Sequence, residues 1–374
     1  MYGRIKRVIV LALVAGLIGA VGAVAGPAQA TGPALALSVG PPQPVYGSGL
    51  LQAIACTSGT SCVAVGAASG AGPSGNVISV INGVPGTPET APYPADILYG
   101  IACPSTTSCL AVGNTSSYEG VLVTITSGIP TATAVVPNAF ALSDIACVSA
   151  SLCYAVGLGF SSAIVVPINS GVAGAPIAVP GASILWGVGC AGGVCQAVGH
   201  RSVSTDSLNP TSVGVVARIL NGGVGPARGV PGTEELHAVT CRDASQCVAV
   251  GAAPLRALCL AARGCTLGVY TDIHGLAISP ARVVPGTSDL RGVDCPSGAS
   301  LLTPCIAVGQ DFGRAASVVV GVGGLLPGLR KQFTPVQKFN GISCAGGATC
   351  EAAGNFYFGF PGAVASVAFA PLIP

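Results

Sequence analysis

Short runs in which apolar residues alternate with polar or small ones fill the chain from about residue 31 to its end. Gly120-Val121-Leu122-Val123-Thr124-Ile125 is one such run, and Cys109-Leu110-Ala111-Val112-Gly113 is a denser apolar one just before it. Gly, Pro, Ser and Asn punctuate the runs, and no 3.6-residue pattern of Leu, Glu, Lys and Ala interrupts them. Period-two alternation bounded by turn residues predicts short β-strands, so the chain is expected to be all-β.

The runs repeat. LQAIACTSGTSCVAVG from Leu51, LYGIACPSTTSCLAVG from Leu98 and LSDIACVSASLCYAVG from Leu142 are three copies of one unit. Four more begin at Leu185, Leu236, Leu290 and Phe339. The first cysteines of the copies stand at 56, 103, 147, 190, 241, 295 and 344. Steps of this size match one four-stranded propeller blade. The fold expected is therefore a seven-bladed β-propeller in a single domain spanning 31–374. Its blades lie near 51–97, 98–141, 142–184, 185–235, 236–289, 290–338 and 339–374 plus 31–50. The seventh repeat stops after three strands, and the stretch Pro41 to Gly47 resembles an orphan fourth strand. An N-terminal strand that completes the C-terminal blade would close the ring and remove its exposed edges.

Each repeat carries two cysteines that flank the tight connection between its first and second strands. The expected disulfides are Cys56–Cys62, Cys103–Cys109, Cys147–Cys153, Cys190–Cys195, Cys241–Cys247, Cys295–Cys305 and Cys344–Cys350, with Cys259–Cys265 left as an extra pair in a loop of the fifth repeat. Zinc would need a partnering histidine pattern that the spacing lacks, so no metal is expected. These S/A-C-x-S-x-x-x-C-x-A-V-G-like runs resemble the cysteine-pair β-propeller repeats of secreted bacterial, largely actinobacterial, proteins of unassigned function. The resemblance spans the chain beyond residue 31. It implies a propeller and export but no catalytic residue, and the sialidase box and the WD and kelch signatures are absent.

Comparing the copies separates scaffold from variable positions. Position one of the first strand is Leu six times and Phe339 once, and position four is always Ile or Val. Position two differs every time: Gln52, Tyr99, Ser143, Trp186, His237, Arg291 and Asn340. The first strand of a blade lines the central channel, so these seven are expected to form a ring of stacking surfaces and hydrogen-bonding groups suited to a polar ligand. The loops between second and third strands should open on the same face. They carry His200, Arg201, Arg256, Arg263, Phe356, Tyr357 and Phe358. Catalysis has weaker support. The candidates are His237 with Asp144, Asp294 and Arg291, with no H-x-x-x-H or G-x-S-x-G motif beside them.

Composition narrows the setting. Arg4, Lys6 and Arg7 precede an apolar run from Val8 to Ala25, and Ala28-Gln29-Ala30 follows as a small-x-small site. Residues 1–30 therefore read as a signal peptide, with membrane attachment expected only if it is uncleaved. Its removal takes three of 15 basic residues and none of the 13 acidic ones. The remainder lacks the basic footprint of a nucleic-acid binder. Its charge is uneven, because every remaining Lys and Arg lies between Arg201 and Lys338. Sixteen cysteines fit an oxidising compartment. The expectation is a secreted, monomeric, cofactor-free binding propeller whose ligand is a glycan or peptide. A propeller hydrolase or lyase, and a structural envelope protein, are the alternatives.

Overall fold

The computed structural model describes residues 35–371 apart from 71, 73, 204–210, 255–265, 297–303, 314–315, 324–329, 335, 346–348 and 357–360. The described residues form seven antiparallel sheets and no helix. Each sheet is one blade. In blade 2 the strands run Ile97–Ala102, Ser108–Asn114, Gly120–Thr126 and Ile129–Val135 from the channel outward. In blades 1, 3, 4 and 5 the outermost strand is split into two short segments, as in Val84–Pro85 and Glu89–Thr90.

The ring closes as expected, through an N-terminal strand in blade 7. Leu35–Val39 pairs antiparallel with Gly362–Pro371, and Gln43–Val45 pairs with the same strand further along. The closing strand therefore begins earlier than Pro41 and is split like the outer strand of blade 1.

The hydrophobic core is not in the middle of the ring. Seven buried clusters sit one at each junction between adjacent blades, the last joining Ala353 and Val364 of blade 7 to Leu51 and Ile78 of blade 1. Each blade is thus covered on both faces. This is why second strands read as continuous apolar runs, with Cys109 to Asn114 buried at every position. The position-one residues Leu51, Leu98, Leu142, Leu185, Leu236, Leu290 and Phe339 are fully buried in these junctions. Several fit against a glycine of the preceding blade: a Cβ on Gly75 would stand 2.9 Å from Leu98 Cγ, and one on Gly362 2.7 Å from Leu51 Cγ.

Seven disulfides are described, each joining the first and second strands of its own blade, from Cys56–Cys62 to Cys344–Cys350. Cys259 and Cys265 lie outside the described residues, as do residues 1–30, where a signal peptide is expected.

Candidate functional site

The repeated A-V-G of the second strand, A-A-G in blade 7, shapes the channel. In all seven blades its glycine lies opposite the position-one residue, as Gly113 does opposite Leu98. A Cβ there would stand 1.8 Å from the carbonyl oxygen of Ile97, and the equivalent distance in the other blades is 1.9 to 2.1 Å. Only glycine lets the inner strand come this close. The register then slips: Leu98 pairs with Gly113 and Gly100 with Val112, leaving Tyr99 as the extra residue of a β-bulge. Gln52, Ser143, Trp186, His237, Arg291 and Asn340 are the bulged residues of the other blades. A bulge bends the strand and re-aims a side chain. Here it happens seven times around one axis.

Two hollows meet at this ring, and all seven position-two residues line both. The inner one, about 260 Å³, is the channel itself and contains Asp144, Thr240, Asp294 and Ser343. The outer one, about 430 Å³, is a vestibule that adds Asn114, Tyr118, Phe140, Leu158, Ile184 and Lys338. Tyr118 lies between the second and third strands of blade 2 and stacks on Phe140 at 5.1 Å between ring centroids. The vestibule thus opens on the face of the variable loops.

The channel carboxylates hold blades together. Asp144 Oδ2 accepts the Val188 N–H of blade 4 at 2.9 Å. Asp294 accepts the Cys344 N–H of blade 7 at 2.8 Å and the Thr240 hydroxyl of blade 5 at 2.9 Å. Ser343 Oγ accepts the Cys56 N–H across the closing junction at 3.0 Å. Inner strands have a free edge toward the axis, and these side chains satisfy it. Burial pushes the Asp144 carboxyl up to about 7, against the pull of the Val188 and Ile145 N–H groups. It raises Asp294 as well.

His237 finds different acids from those the sequence suggested. Its Nε2 lies 3.0 Å from Asp289 Oδ1 and 3.3 Å from Glu235 Oε1, at angles short of a directed hydrogen bond. Asp289 Oδ2 also accepts Arg291 Nε at 2.5 Å. Burial disfavours the imidazolium, but Asp289 and then Glu235 outweigh it, so His237 is held above its usual range. For Asp289 burial is likewise overcome, here by His237 and Arg291, and its carboxyl is held well below the ordinary range. His200 accepts the Trp186 Nε1–H on Nδ1 at 3.2 Å, and its Nδ1 stands 3.9 Å from Glu235. Burial pushes His200 down. An interacting arc therefore runs from Trp186 through His200, Glu235, His237 and Asp289 to Arg291.

Glu235, Asp289 and Lys338 occupy the same position, one residue before position one, in blades 5, 6 and 7. Blades 1 to 4 have Leu50, Ile97, Ala141 and Ile184 there. The repeat alignment shows this second ring when it is extended one residue upstream, apolar in blades 1 to 4 and charged in blades 5 to 7.

The remaining expected residues divide. Asn340 donates to the Leu51 carbonyl at 2.7 Å and to Asn355 at 3.2 Å, joining blade 7 to blade 1. Gln52, Tyr99 and Ser143 make no side-chain hydrogen bond among the described residues. Phe356 packs against the junction between blades 6 and 7. Arg201 is half-buried beside Gly229. Arg256, Arg263, Tyr357 and Phe358 lie outside the described residues.

No family model matches the chain, and no curated protein matches it in sequence. Solved structures do resemble it. The WD40 β-propeller domain of Doa1 aligns over 88% of this chain and 95% of its own, with a TM-score of 0.55 and 9% identity. YCF48 bound to D1 peptide aligns over 89% and 96%, with a TM-score of 0.54 and 10% identity. At such low identity these likenesses carry the fold alone: the chain is a cysteine-paired β-propeller.

Proposed function

We propose that the protein is an exported, disulfide-stapled binding propeller that takes a peptide in the vestibule. One observation carries this reading. Every copy of the repeat differs at the bulged position, and all seven bulged side chains surround one opening, where the Gln52, Tyr99 and Ser143 side chains have no hydrogen-bond partner among the described residues. Variable groups on a rigid frame, with unspent donors and acceptors beside aromatic surface, are what recognition of a polar ligand needs. The peptide complex of YCF48, a propeller of the same fold, supports a peptide over a glycan.

The hydrolase or lyase reading has less behind it. The His237 side chain is only 5% exposed and is held between two carboxylates, while Asp144 and Asp294 are occupied by neighbouring backbone. A general acid or base needs an open path to its substrate.

The experiment is a titration of peptide and glycan panels against the protein lacking residues 1–30, followed by the fluorescence of Trp186, the one Trp of the chain. The combined variant Gln52→Ala, Tyr99→Ala, Ser143→Ala should lose peptide binding while its melting temperature stays close to the parent's. Failure of every peptide to bind, or equal binding by the variant, would overturn the peptide reading. A glycan that binds in its place would move the function to the alternative ligand class.

A further inference from the structure

The charged residues that line the vestibule are Arg291, Lys338 and His237, and no acidic side chain lines it among the described residues. The acids of the region, Glu235 and Asp289, are not among the lining residues, and they stand against His237 and Arg291. Lys338 differs from both other cations. It has no hydrogen bond and no ion pair among the described residues, and it is half-buried near Arg291. Burial and then the like charge of Arg291 push its ammonium down, while the charge of Asp289 pulls more weakly the other way. A cation with no hydrogen-bonded or ion-paired partner among the described residues, beside a second cation and partly out of water, is a site that gains from an anion.

Across the opening stand Tyr99, Tyr118, Phe140 and the apolar Ile184. Tyr118 is 59% exposed although it stacks on Phe140, so the aromatic wall has a free face. We infer that the ligand is an acidic peptide, one carboxylate seated against Lys338 and Arg291 while a neighbouring aromatic or aliphatic side chain packs on the Tyr118–Phe140 wall. This inference rests on the peptide reading above and gives it a chemical class. A volume of about 430 Å³ holds a short segment of such a peptide rather than a folded partner.

Two measurements test it, and they fail separately. In the first, Trp186 is quenched with iodide and with neutral acrylamide, and no peptide is involved. Iodide should quench efficiently, and Lys338→Met should reduce iodide quenching about twofold with acrylamide quenching unchanged. Equal iodide quenching in parent and variant would show that Lys338 sets up no anion-attracting site, and the inference would fall even if peptides bind.

In the second, an acetylated, amidated peptide with one Phe and two Glu is compared with the isosteric peptide carrying Gln. The Glu peptide should bind about tenfold tighter than the Gln peptide. Lys338→Met should erase that difference and Lys338→Arg restore it. Equal binding of both peptides by the parent would overturn the acidic class while leaving the peptide reading standing. If neither peptide binds and a neutral glycan does, both readings fall together. Because the Lys338 side chain makes no hydrogen bond or ion pair among the described residues, its replacement should fold like the parent, and a circular dichroism melt checks this.

Discussion

His237 of blade 5 places its Nε2 3.0 Å from Asp289 Oδ1 of blade 6, tying two blades together beneath the rim of the vestibule. The pair is interior, with the two side chains 5% and 13% exposed, so its charges are poorly screened by solvent. Asp289 also holds Arg291, which lines the vestibule. A single carboxylate therefore sets the position of a ring residue and the protonation of its neighbour.

Stability should follow the pH range in which both partners are charged. Asp289 has a depressed carboxyl, so its contribution is present above its unfolded value near 4 and is lost as pH falls through the lower folded value. His237 has a raised imidazole, so its contribution is present below about 6.5 and is lost as pH rises through the folded value. The pair should stabilise most between about pH 4 and pH 6.5. Asp289→Asn should cost about 3 kcal/mol at pH 5.5. It should also flatten the pH profile of urea unfolding. A variant with the parent's profile would show that the pair contributes nothing.

Asp144 should act in the opposite direction. Its folded carboxyl titrates at about 7, against 3.8 for an ordinary aspartate, so the unfolded chain ionises first. The folded state is favoured below pH 4 and loses that advantage as pH rises toward 7. Asp144→Asn keeps an acceptor for the Val188 N–H and cannot ionise. It should match the parent at pH 4 and exceed it by roughly 4 kcal/mol at pH 8. A stability difference that does not change between these two pH values would show that Asp144 does not titrate as described.

The bulge can be tested by adding one carbon. Gly113→Ala puts a Cβ 1.8 Å from the Ile97 carbonyl oxygen, a backbone atom that cannot step aside without moving the inner strand. The expected loss is about 3 kcal/mol. Gly171 has a φ of +80° with nothing within 4 Å of its Cβ position, so Gly171→Ala isolates the conformational cost alone, about 1 kcal/mol. Equal melting temperatures for the two variants would mean that close approach is not what requires glycine in A-V-G.

The hairpin disulfides should each contribute modestly. Cys103 and Cys109 are six residues apart and close a short loop, worth roughly 2 kcal/mol in the loop-entropy account. Replacing both with Ser should lower stability by that amount or less, since the hairpin is also held by the strand pairing of Ile97–Ala102 with Ser108–Asn114. Thermal unfolding of the double variant measures the loss, and a drop several times larger would place the disulfide at the centre of folding.

Much of this was legible in the repeats. Position two stood out because it varied while Leu, Ile or Val and Cys held their places around it. The ring before it, with Glu235, Asp289 and Lys338, went unread because it is apolar in four blades and charged in three, so it looks like neither scaffold nor site. His237 was legible as a ring member, but its partners were not. Asp144 and Asp294 looked eligible from their place in the inner strand, yet their oxygens are bound to Val188 and Cys344, 44 and 50 residues further along. The closing strand was visible as a surplus segment, and its split form came from pairing with Gly362–Pro371.

What the sequence by itself determined is local: strand periodicity, the number of blades, the pairing of nearby cysteines, and which position differs from copy to copy. Each depends on residues a few places apart, where alternation and short loop closure act directly. Only the tertiary structure decided which side chains neutralise one another and which cations are left facing the opening. Those contacts form between blades, across junctions that exist only once the ring has closed. There burial makes an unpaired charge costly and a paired one specific.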